Sequence, residues 1–462
     1  MKITTTNKQI NTAPKKYTRV VFDEKGTERF VEHDGVTTLH IIAGKYKEVS
    51  PRTFRILLRT IVQTAKRYKI NNLAFQLDAT LFPKLKEYDE SWLFSTIAEN
   101  LHLSNYEYTK YKSKSESVDI KEIILCSKPQ KSDKNALARG EIIAKFINTC
   151  RDIANTPGGD MTPELLGKAA KNALKGTRAK VRVLGLHEIK KLKMGGLLGV
   201  GKGAKDTPRF IVVEYWGTSK KNAPIVFVGK GITFDTGGLQ IKPGMSMYEM
   251  HMDMSGGASV IAAIGAIAKL GLKKNVIGLV PAAENAVSDE SIRPGDVLTM
   301  MSGKTVDVLH TDAEGRLVLA DALHYARRYN PKLVVDIATL TGAALVALGL
   351  HAHGIMTKDR KLEDALRDLG EKSGDYVAPL PLWDEYKQYT KGVHGDISNV
   401  PQGESRYGGS INGGMFLSHF TEGMRWVHID MAPRMTSAPS DKLAKGASGE
   451  PTRLLVSIAE TF

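Results

Sequence analysis

The first 135 residues alternate between segments with strand-like and helix-like hydrophobic patterns. Apolar residues recur at helical spacing over residues 50–68. Three short runs rich in apolar residues predict strands: 36–44, 72–77 and 122–126. Strands that alternate with helices are typical of an α/β domain. We therefore predict a small N-terminal α/β domain over residues 1–135, which closes with a polar loop over 127–135.

A second domain is predicted to follow a linking helix. Residues 136–155 have the apolar spacing of one continuous helix, long enough to join two domains. Another helix start comes soon afterwards. Thr162 can cap it, Pro163 suits its first position, and Glu164 suits its positive end. We place the C-terminal domain at residues 156–462.

The larger domain is richer in glycine and in continuous apolar runs. Four runs predict buried strands: 209–216, 224–231, 275–283 and 332–340. Two segments between them have helical spacing: 256–271 and 316–329. Strands that are apolar throughout are typical of a sheet covered on both faces. The predicted fold is therefore α/β, with a central mixed sheet flanked by helices.

Residues 333–350 form the most apolar long stretch, about the length of a membrane span. Because Asp336 and several glycines interrupt it, we interpret it as a buried strand that leads into a loop and helix. The polar N-terminus resembles no signal peptide. The cysteines, Cys126 and Cys150, form no Cys-x-x-Cys pair and are expected to be free thiols. A cytoplasmic protein without membrane contact is expected.

Charge leaves a second class of function open. The chain has 462 residues, of which 42% are hydrophobic and 25% charged, and its formal net charge is +15. A basic surface can attract nucleic acid, so a nucleic-acid-binding or scaffolding protein is the alternative hypothesis. The densest basic stretch, 110–134, also contains acids and serines, as a solvated face would. Nucleic-acid binding is possible but not expected, and it would weaken with salt.

The stretch "HTDAEGRLVLAD", residues 310–321, places two acids, a glycine and an arginine before an apolar run. Asp312 and Glu314 would point the same way in an extended chain, because side-chain direction alternates with a period of two. A surface turn would explain the acids simply. A metal site would explain them better if other segments supply partners, since cations remove the repulsion between carboxylates.

Those partners occur upstream, next to apolar strands and glycines. Lys230 follows a predicted strand, Asp235 precedes a Gly-Gly pair, and Lys242 lies seven residues further on. Asp253 lies just before a predicted helix. Taken singly, each residue has an ordinary explanation as a solvent-facing lysine or a helix cap. Together, carboxylates on two sides could neutralise and bridge two divalent cations.

Several blocks resemble the cytosolic leucyl aminopeptidases, a two-metal family with a lysine ligand. The blocks "VGKGITFDTGG", "IKPG", "MDMSGGA", "TDAEGRL" and "DIATLTGA" occur in the family's order. The resemblance runs from about residue 151 to 455, whereas the first 130 residues match only in general α/β character. It implies a metal-dependent aminopeptidase that removes apolar, Leu- or Met-like N-terminal residues by means of a metal-bridged water, and that also cleaves Cys-Gly dipeptides.

The resemblance also implies roles for single residues. The tighter metal would be held by four ligands: Lys230, Asp235, Asp253 and Glu314. The exchangeable metal would be held by Asp235, Asp312 and Glu314. Two ions of Zn²⁺ or Mn²⁺, or Mg²⁺, are implied for each subunit. Lys242 would stabilise the oxyanion, and Arg316 would hold a bicarbonate that shuttles the proton; the alternative for Arg316 is an ion pair with Glu314.

Further implications concern the substrate and the assembly. The pocket for the first side chain would be lined by Met250, Thr339, Gly342, Ala432 and Met435. Leu340 and Gly342 would offer backbone groups to the substrate. Family members are homohexamers that act on peptides. One departure from the family is His310, where asparagine is usual; it would either bond to a ligand or serve as an ordinary turn histidine.

Overall fold

The computed structural model describes all residues except 77–80, 115–117, 128–130 and 404–406, together with the side chains of residues 131 and 132. The chain forms two compact units. The first comprises residues 1–148 and 437–445, and the second comprises 149–436 and 446–462. The return of 437–445 to the first unit means that no single cut in the chain separates the two. The predicted linking role of the helix over 136–155 stays a prediction.

The first unit is built on a mostly parallel sheet. Its strands are β1 (Lys2–Thr6), β2 (Thr18–Asp23), β3 (Arg29–His33), β4 (Val36–Ile42), β5 (Asn72–Phe75) and β6 (Glu122–Cys126). They lie in the order β1-β6-β5-β2-β4-β3, and only the β3–β4 pair is antiparallel. Helices α1 (Pro51–Arg67) and α2 (Glu90–Asn105) pack against each other. The α1 helix starts at a capping box formed by Ser50 and Thr53.

The second unit contains the large mixed sheet that was predicted. Its strands are β7 (Lys180–Leu184), β8 (Arg209–Trp216), β9 (Ile225–Gly229), β10 (Gly231–Asp235), β11 (Asn275–Asn285), β14 (Leu333–Ala338), β15 (His353–Met356), β16 (Val377–Pro379) and β18 (Trp426–Asp430). They lie in the order β16-β15-β18-β14-β9-β11-β8-β7, and β10 pairs with β11. A smaller sheet orders β12 (Val297–Thr299), β13 (Thr305–Asp307) and β17 (Ile397–Ser398).

Helices surround this sheet. They are α4 (Pro163–Ala173), α5 (Leu186–Lys191), α6 (Gly195–Gly201), α7 (Ser255–Leu270), α8 (Gly315–Ala326), α9 (Gly342–Leu348), α10 (Arg360–Ser373), α11 (Gly409–Ser418) and α12 (Thr452–Thr461). Central strand β9 is buried along its whole length, as its apolar run predicted. Thr162 caps α4 and Pro163 occupies its first turn, which confirms the predicted helix start.

Helix α3 (Lys131–Ala154) corrects one expectation. Residues 127–135 were predicted to be a loop, but the helix already begins at Lys131, and residues 128–130 lie outside the described residues, as does Leu77 of the predicted strand 72–77. The first turn of α3 contains Asp133, whose negative charge suits the positive end of a helix. The polar composition of the segment therefore reflected a helix N-terminus as well as a loop.

One helical stretch among the described residues, Gly244–Leu270, is long and apolar enough to cross a membrane by length and composition. Of its most apolar window, 89% is buried inside the protein, as in the core helix of a globular domain. The segment 333–350 is not a continuous helix. It forms β14, a short connection and α9, as its polar and glycine residues predicted.

Close backbone contact between α7 and the central strands fixes one edge of the sheet. The N–H of Gly257 donates to the carbonyl of Lys230 at 2.7 Å, and the N–H of Lys230 donates to the carbonyl of Ile337 at 2.9 Å. A Cβ atom on Gly256 would lie 2.2 Å from the carbonyl oxygen of Ile337. Only glycine lets the helix start approach the ends of β9 and β14 so closely.

We expect Gly256→Ala to destabilise the protein by about 1–3 kcal/mol, because the added methyl group meets backbone that cannot rotate away. Urea unfolding measures this change. Gly159→Ala is the matched control, since a Cβ there has no heavy atom within 4 Å; it should change stability by less than about 0.5 kcal/mol. Equal stability of the two variants would contradict the close approach.

Candidate metal centre

The predicted site residues lie where neighbouring parallel strands end. Lys230 directly follows β9, Asp235 is the last residue of β10, and Thr339 directly follows β14. Because β9 is parallel to both β14 and β11, and β10 is parallel to β11, these carboxyl ends meet at one edge of the sheet. Open α/β sheets place their ligand sites at such edges.

Two helix starts deliver further acids to this edge. Asp253 follows the 3₁₀ helix Met250–Met252 and precedes α7, and Glu314 is the N-cap residue of α8. The structure does not show the extended chain over 312–314 that would align the two acids. A turn forms there instead, in which the N–H of Ala313 donates to the carbonyl of His310 at 3.2 Å. The acids converge because the turn leads directly into α8.

Lys230 is the centre of one half of the site. Its Nζ lies 2.8 Å from Asp253 Oδ2 and 2.8 Å from Glu314 Oε1, and it donates to the carbonyl of Thr339 at 3.1 Å. All four residues are buried. A Cβ atom on Gly315 would lie 2.5 Å from Lys230 Cε, so a larger residue at position 315 would push the lysine away.

Lys242 is the centre of the other half. Its Nζ lies 2.8 Å from Asp235 Oδ2 and 2.5 Å from Asp312 Oδ1. The other carboxylate oxygen of Asp235 accepts from the N–H of Gly237 at 2.9 Å and from Asn285 Nδ2 at 2.8 Å. Asp235 therefore has one anchored oxygen and one oxygen that faces the site. The sequence contained no sign that Asn285 takes part.

The carboxylates form a group that could hold a metal ion. Asp235, Asp312 and Glu314 each offer an oxygen, and these oxygens lie within 4.8 Å of one another. Among the described residues, Asp253 Oδ2, Asp312 Oδ1 and Glu314 Oε1 are buried with a lysine ammonium as their only partner, and Glu314 Oε2 is buried without any partner. Buried carboxylate oxygens normally have bonded partners or coordinate metal. The donor set, carboxylate oxygens with amines, fits divalent cations.

The pKa values of three of these carboxyls reflect burial and mutual repulsion. Burial raises the pKa of the Asp253, Asp312 and Glu314 carboxyls, and neighbouring carboxylates raise it further, against the two lysines. Burial alone would lower the pKa of Lys230 and of Lys242. The carboxylates around each lysine outweigh burial, so both pKa values are raised. The two ammonium groups thus provide the positive charge that the acids require.

Arg316 is buried beside this group rather than within it. In the described part of the chain, no carboxylate lies within ion-pair distance of its guanidinium, so the predicted alternative of an ion pair with Glu314 is not present. Its Nη1 donates to the carbonyl of Asn399 at 2.5 Å, and its Nε is buried without a hydrogen bond. Burial lowers the pKa of Arg316 to about 10, which leaves it charged at neutral pH.

His310 behaves as a turn residue. Its Nδ1 accepts from the N–H of Asp312 at 3.2 Å, so it contacts the main chain of that acid and not its carboxylate. Burial lowers the pKa of His310, and Lys242 and Arg316 lower it further, which favours the neutral ring that such acceptance requires. Of the two interpretations of this residue, the local turn role agrees with the geometry.

The predicted substrate residues lie on segments around the same edge. Met250, Ala432 and Met435 are half-buried, Gly342 is exposed at the start of α9, and Thr339 is buried. The Thr339 hydroxyl donates to Asp253 Oδ1 at 2.7 Å, so it is used within the site. No heavy atom lies within 4 Å of the position that a Cβ on Gly342 would occupy.

Asp430 is a buried acid that was not predicted from the sequence, and it fixes the main chain beside the predicted substrate residues. Asp430, the last residue of β18, accepts through Oδ1 from the N–H groups of Leu340 and Ala432, both at 3.2 Å. Its Oδ2 accepts from the Thr341 hydroxyl at 2.7 Å. Only the position of Asp430 at the end of an apolar strand could have indicated it.

Comparisons with known proteins agree with this architecture. The catalytic domain of the cytosol aminopeptidase family matches residues 148–456, and the N-terminal domain of that family matches residues 39–115. A probable cytosol aminopeptidase of Paraburkholderia phymatum is 42% identical over 399 residues, which cover 85% of this chain and 78% of that protein. Another from Nitrosospira multiformis is 40% identical over 423 residues, covering 89% and 79%.

Solved structures give the same result. The bottromycin maturation enzyme BotP aligns with a TM-score of 0.84 at 29% identity, over 96% of this chain and 98% of that one. The same enzyme in complex with Mn aligns with a TM-score of 0.83 at 28% identity, over the same shares. The fold and site define an α/β peptidase of two family domains. The chain belongs to the cytosol aminopeptidase family, and aminopeptidase activity follows from that membership.

We expect Thr339→Val to destabilise the metal-free protein by about 1.5–3 kcal/mol, because the variant removes a buried hydrogen bond to the Asp253 carboxylate. Urea unfolding in the presence of a chelator measures the change. Thr357→Val is the matched control: the Thr357 hydroxyl has neutral partners, since it donates to the carbonyl of Trp426 at 2.7 Å and accepts from the N–H of Asp359 at 3.1 Å, and its loss should cost about 0.5–1.5 kcal/mol. A smaller cost at Thr339 than at Thr357 would contradict the charged bond.

Proposed function

We propose that the protein is a two-metal leucyl aminopeptidase that removes apolar N-terminal residues from peptides and also cleaves Cys-Gly dipeptides. The observation that carries the proposal is the convergence of acids and lysines at one sheet edge, where oxygens of three acids lie within 4.8 Å of one another and Glu314 Oε2 is buried without a hydrogen bond. Family membership supports the reaction class. The cytoplasm is the proposed location, and a homohexamer is the proposed assembly.

Two groups of residues would hold the cations. Four residues are the proposed ligands of the tighter ion: Lys230, Asp235, Asp253 and Glu314. Asp235 and Glu314 would also bind the exchangeable ion, together with Asp312. Lys230 would serve as a neutral amine, since only the free electron pair of nitrogen binds a cation. Zn²⁺, Mn²⁺ or Mg²⁺ would suit these oxygen and nitrogen donors.

When bound, the two cations would polarise the scissile carbonyl and lower the pKa of a water between them, so that the water can attack. Lys242 would then stabilise the developing oxyanion. Its side chain is 14% exposed, its amine lies at the carboxylates of Asp235 and Asp312, and its raised pKa keeps it charged. A fixed charge in a largely buried site is effective because it needs no reorganisation during the reaction.

Arg316 would hold a bicarbonate that carries the proton. A buried, charged guanidinium with a free Nε–H can bind an anion through planar, paired hydrogen bonds. Because the carbonyl of Asn399 fixes Nη1, the orientation of the guanidinium is set before an anion arrives. No histidine is then needed as a base.

The pocket for the first side chain would be apolar and adaptable. Met250 and Met435 would supply flexible thioethers, which accept Leu- and Met-like side chains. Thr339 would contribute mainly its methyl group, since Asp253 engages its hydroxyl. The N–H of Leu340 is bonded to Asp430, so Leu340 would offer its carbonyl to the substrate. Because their side chains are small, Gly342 and Ala432 would leave the entrance to this pocket wide.

We expect removal of metal by a chelator to abolish hydrolysis of leucine amide, because the proposed reaction needs both cations, and added Mn²⁺ or Zn²⁺ to restore it. The release of ammonia measures the rate. N-acetylleucine amide is the control substrate and should not be cleaved, since its amine is blocked.

A variant of one proposed metal ligand tests the same dependence of hydrolysis on metal. Glu314→Gln should remain inactive after Mn²⁺ or Zn²⁺ is added back, because it removes one negative charge from a proposed ligand of both cations. Full activity of the metal-free wild type, or of Glu314→Gln, would contradict the proposal.

A further inference from the structure

Asn399 is a fully buried amide that follows β17 and lies against the turn that contains Asp312. Strand β17 runs parallel to β13, with Asp307 opposite Ser398. The N–H of Asn399 donates to the carbonyl of Asp307 at 3.0 Å, which extends this pairing by one bond. The side chain of Asn399 is thereby directed at the residues after β13.

The carboxamide of Asn399 bonds to both sides of the turn. Its Oδ1 accepts from the N–H groups of Leu309 at 2.8 Å and His310 at 3.2 Å. Its Nδ2 donates to the carbonyls of His310 at 2.6 Å and Ala313 at 3.4 Å. A carboxamide accepts at its oxygen and donates at its nitrogen, as these four bonds require. A carboxylate of the same shape would place an anion against two carbonyl oxygens.

The main chain of Asn399 contacts a second element of the site. Its carbonyl accepts from Arg316 Nη1 at 2.5 Å. The side chain therefore fixes the turn with Asp312 and the entry to Glu314, while the carbonyl fixes the guanidinium. Both contacts come from one residue, so the spacing between the acids and the arginine depends on where Asn399 lies.

We propose that Asn399 is a positioning residue that holds the Asp312 turn and the Arg316 guanidinium in their working geometry. The inference deepens the proposed function and depends on it. Asn399 touches no reacting atom in this account and acts through the two groups that it orients. A turn without this amide would leave the N–H groups of Leu309 and His310 and the carbonyl of Ala313 without their partner, and it would relax away from the geometry that the acids need.

The chain offers a close control in Asn275, which makes the same kind of bonds at the opposite end of β11 from Asn285 and the candidate site. Its Oδ1 accepts from the N–H and the hydroxyl of Thr218, both at 3.0 Å. Its Nδ2 donates to the carbonyls of Ser219 at 2.7 Å and Asn222 at 2.9 Å. Asn275 is also buried. Its loss should disturb a turn without affecting metal binding.

The experiment compares Asn399→Leu with Asn275→Leu, since leucine has nearly the shape of asparagine and adds no charge that could attract a cation. Isothermal titration of the metal-free proteins with Mn²⁺ measures both affinities. We expect Asn399→Leu to weaken the weaker site at least tenfold and to lower kcat for leucine amide at least tenfold, with KM changed less than threefold. Asn275→Leu should leave all three values within twofold.

Hydrogen exchange gives a readout that does not depend on metal or activity. In metal-free Asn399→Leu, the amides of Leu309 and His310 should exchange at least tenfold faster than in the wild type, and the exchange of the Thr218 amide should not change. If Asn399→Leu does not fold, Asn399→Ser is compared with Asn275→Ser by the same measurements.

Each outcome has a defined meaning. Unchanged Mn²⁺ affinity and kcat in the Asn399 variant would overturn the positioning role, and so would an equal loss in the Asn275 variant. A wild-type protein that binds no divalent cation in the same titration would overturn the proposed function itself. The two failures are distinguished by the wild-type titration alone.

Discussion

Mutual repulsion among buried carboxylates is the constraint on which the rest of this site depends. Oxygens of Asp235, Asp312 and Glu314 lie within 4.8 Å of one another, and Asp235 and Glu314 are buried. Such a group is stable only with positive charge beside it. Lys230 and Lys242 supply that charge in the protein alone, each between two acids. The same crowding is what would give the centre its affinity for divalent cations.

The fold brings the acids together by means of backbone contact. Glycines at the start of α7 let that helix touch the ends of β9 and β14, which brings Asp253 to Lys230. Gly315 leaves room for the lysine at the start of α8. Side-chain bonds then set single oxygens, as Asn285 does for Asp235. Strand ends and helix starts thus carry most of the proposed ligands, and sites built on such elements are more precise than sites on loops.

The sequence predicted the fold class, the central strands and the acids of the candidate site, because all three leave local signals. Apolar runs marked β8, β9, β11 and β14, and acids next to glycines marked the strand ends. The sequence could not predict the turn at 311–314, since an alternating pattern does not distinguish a turn from extended chain. Nor could it predict Asn399 or Asp430, which act through partners about 90 residues away in the chain. Long-range bonds of single polar residues leave no periodic signal.

The most direct test of the central claim is an anomalous diffraction experiment on crystals soaked with Zn²⁺, recorded at the zinc edge. The account predicts two peaks in each subunit, both next to Asp235 and Glu314, with Lys230 Nζ at one peak and Asp312 at the other. A protein that shows no peak at these residues, with Lys230 still paired to Asp253 and Glu314, would contradict it.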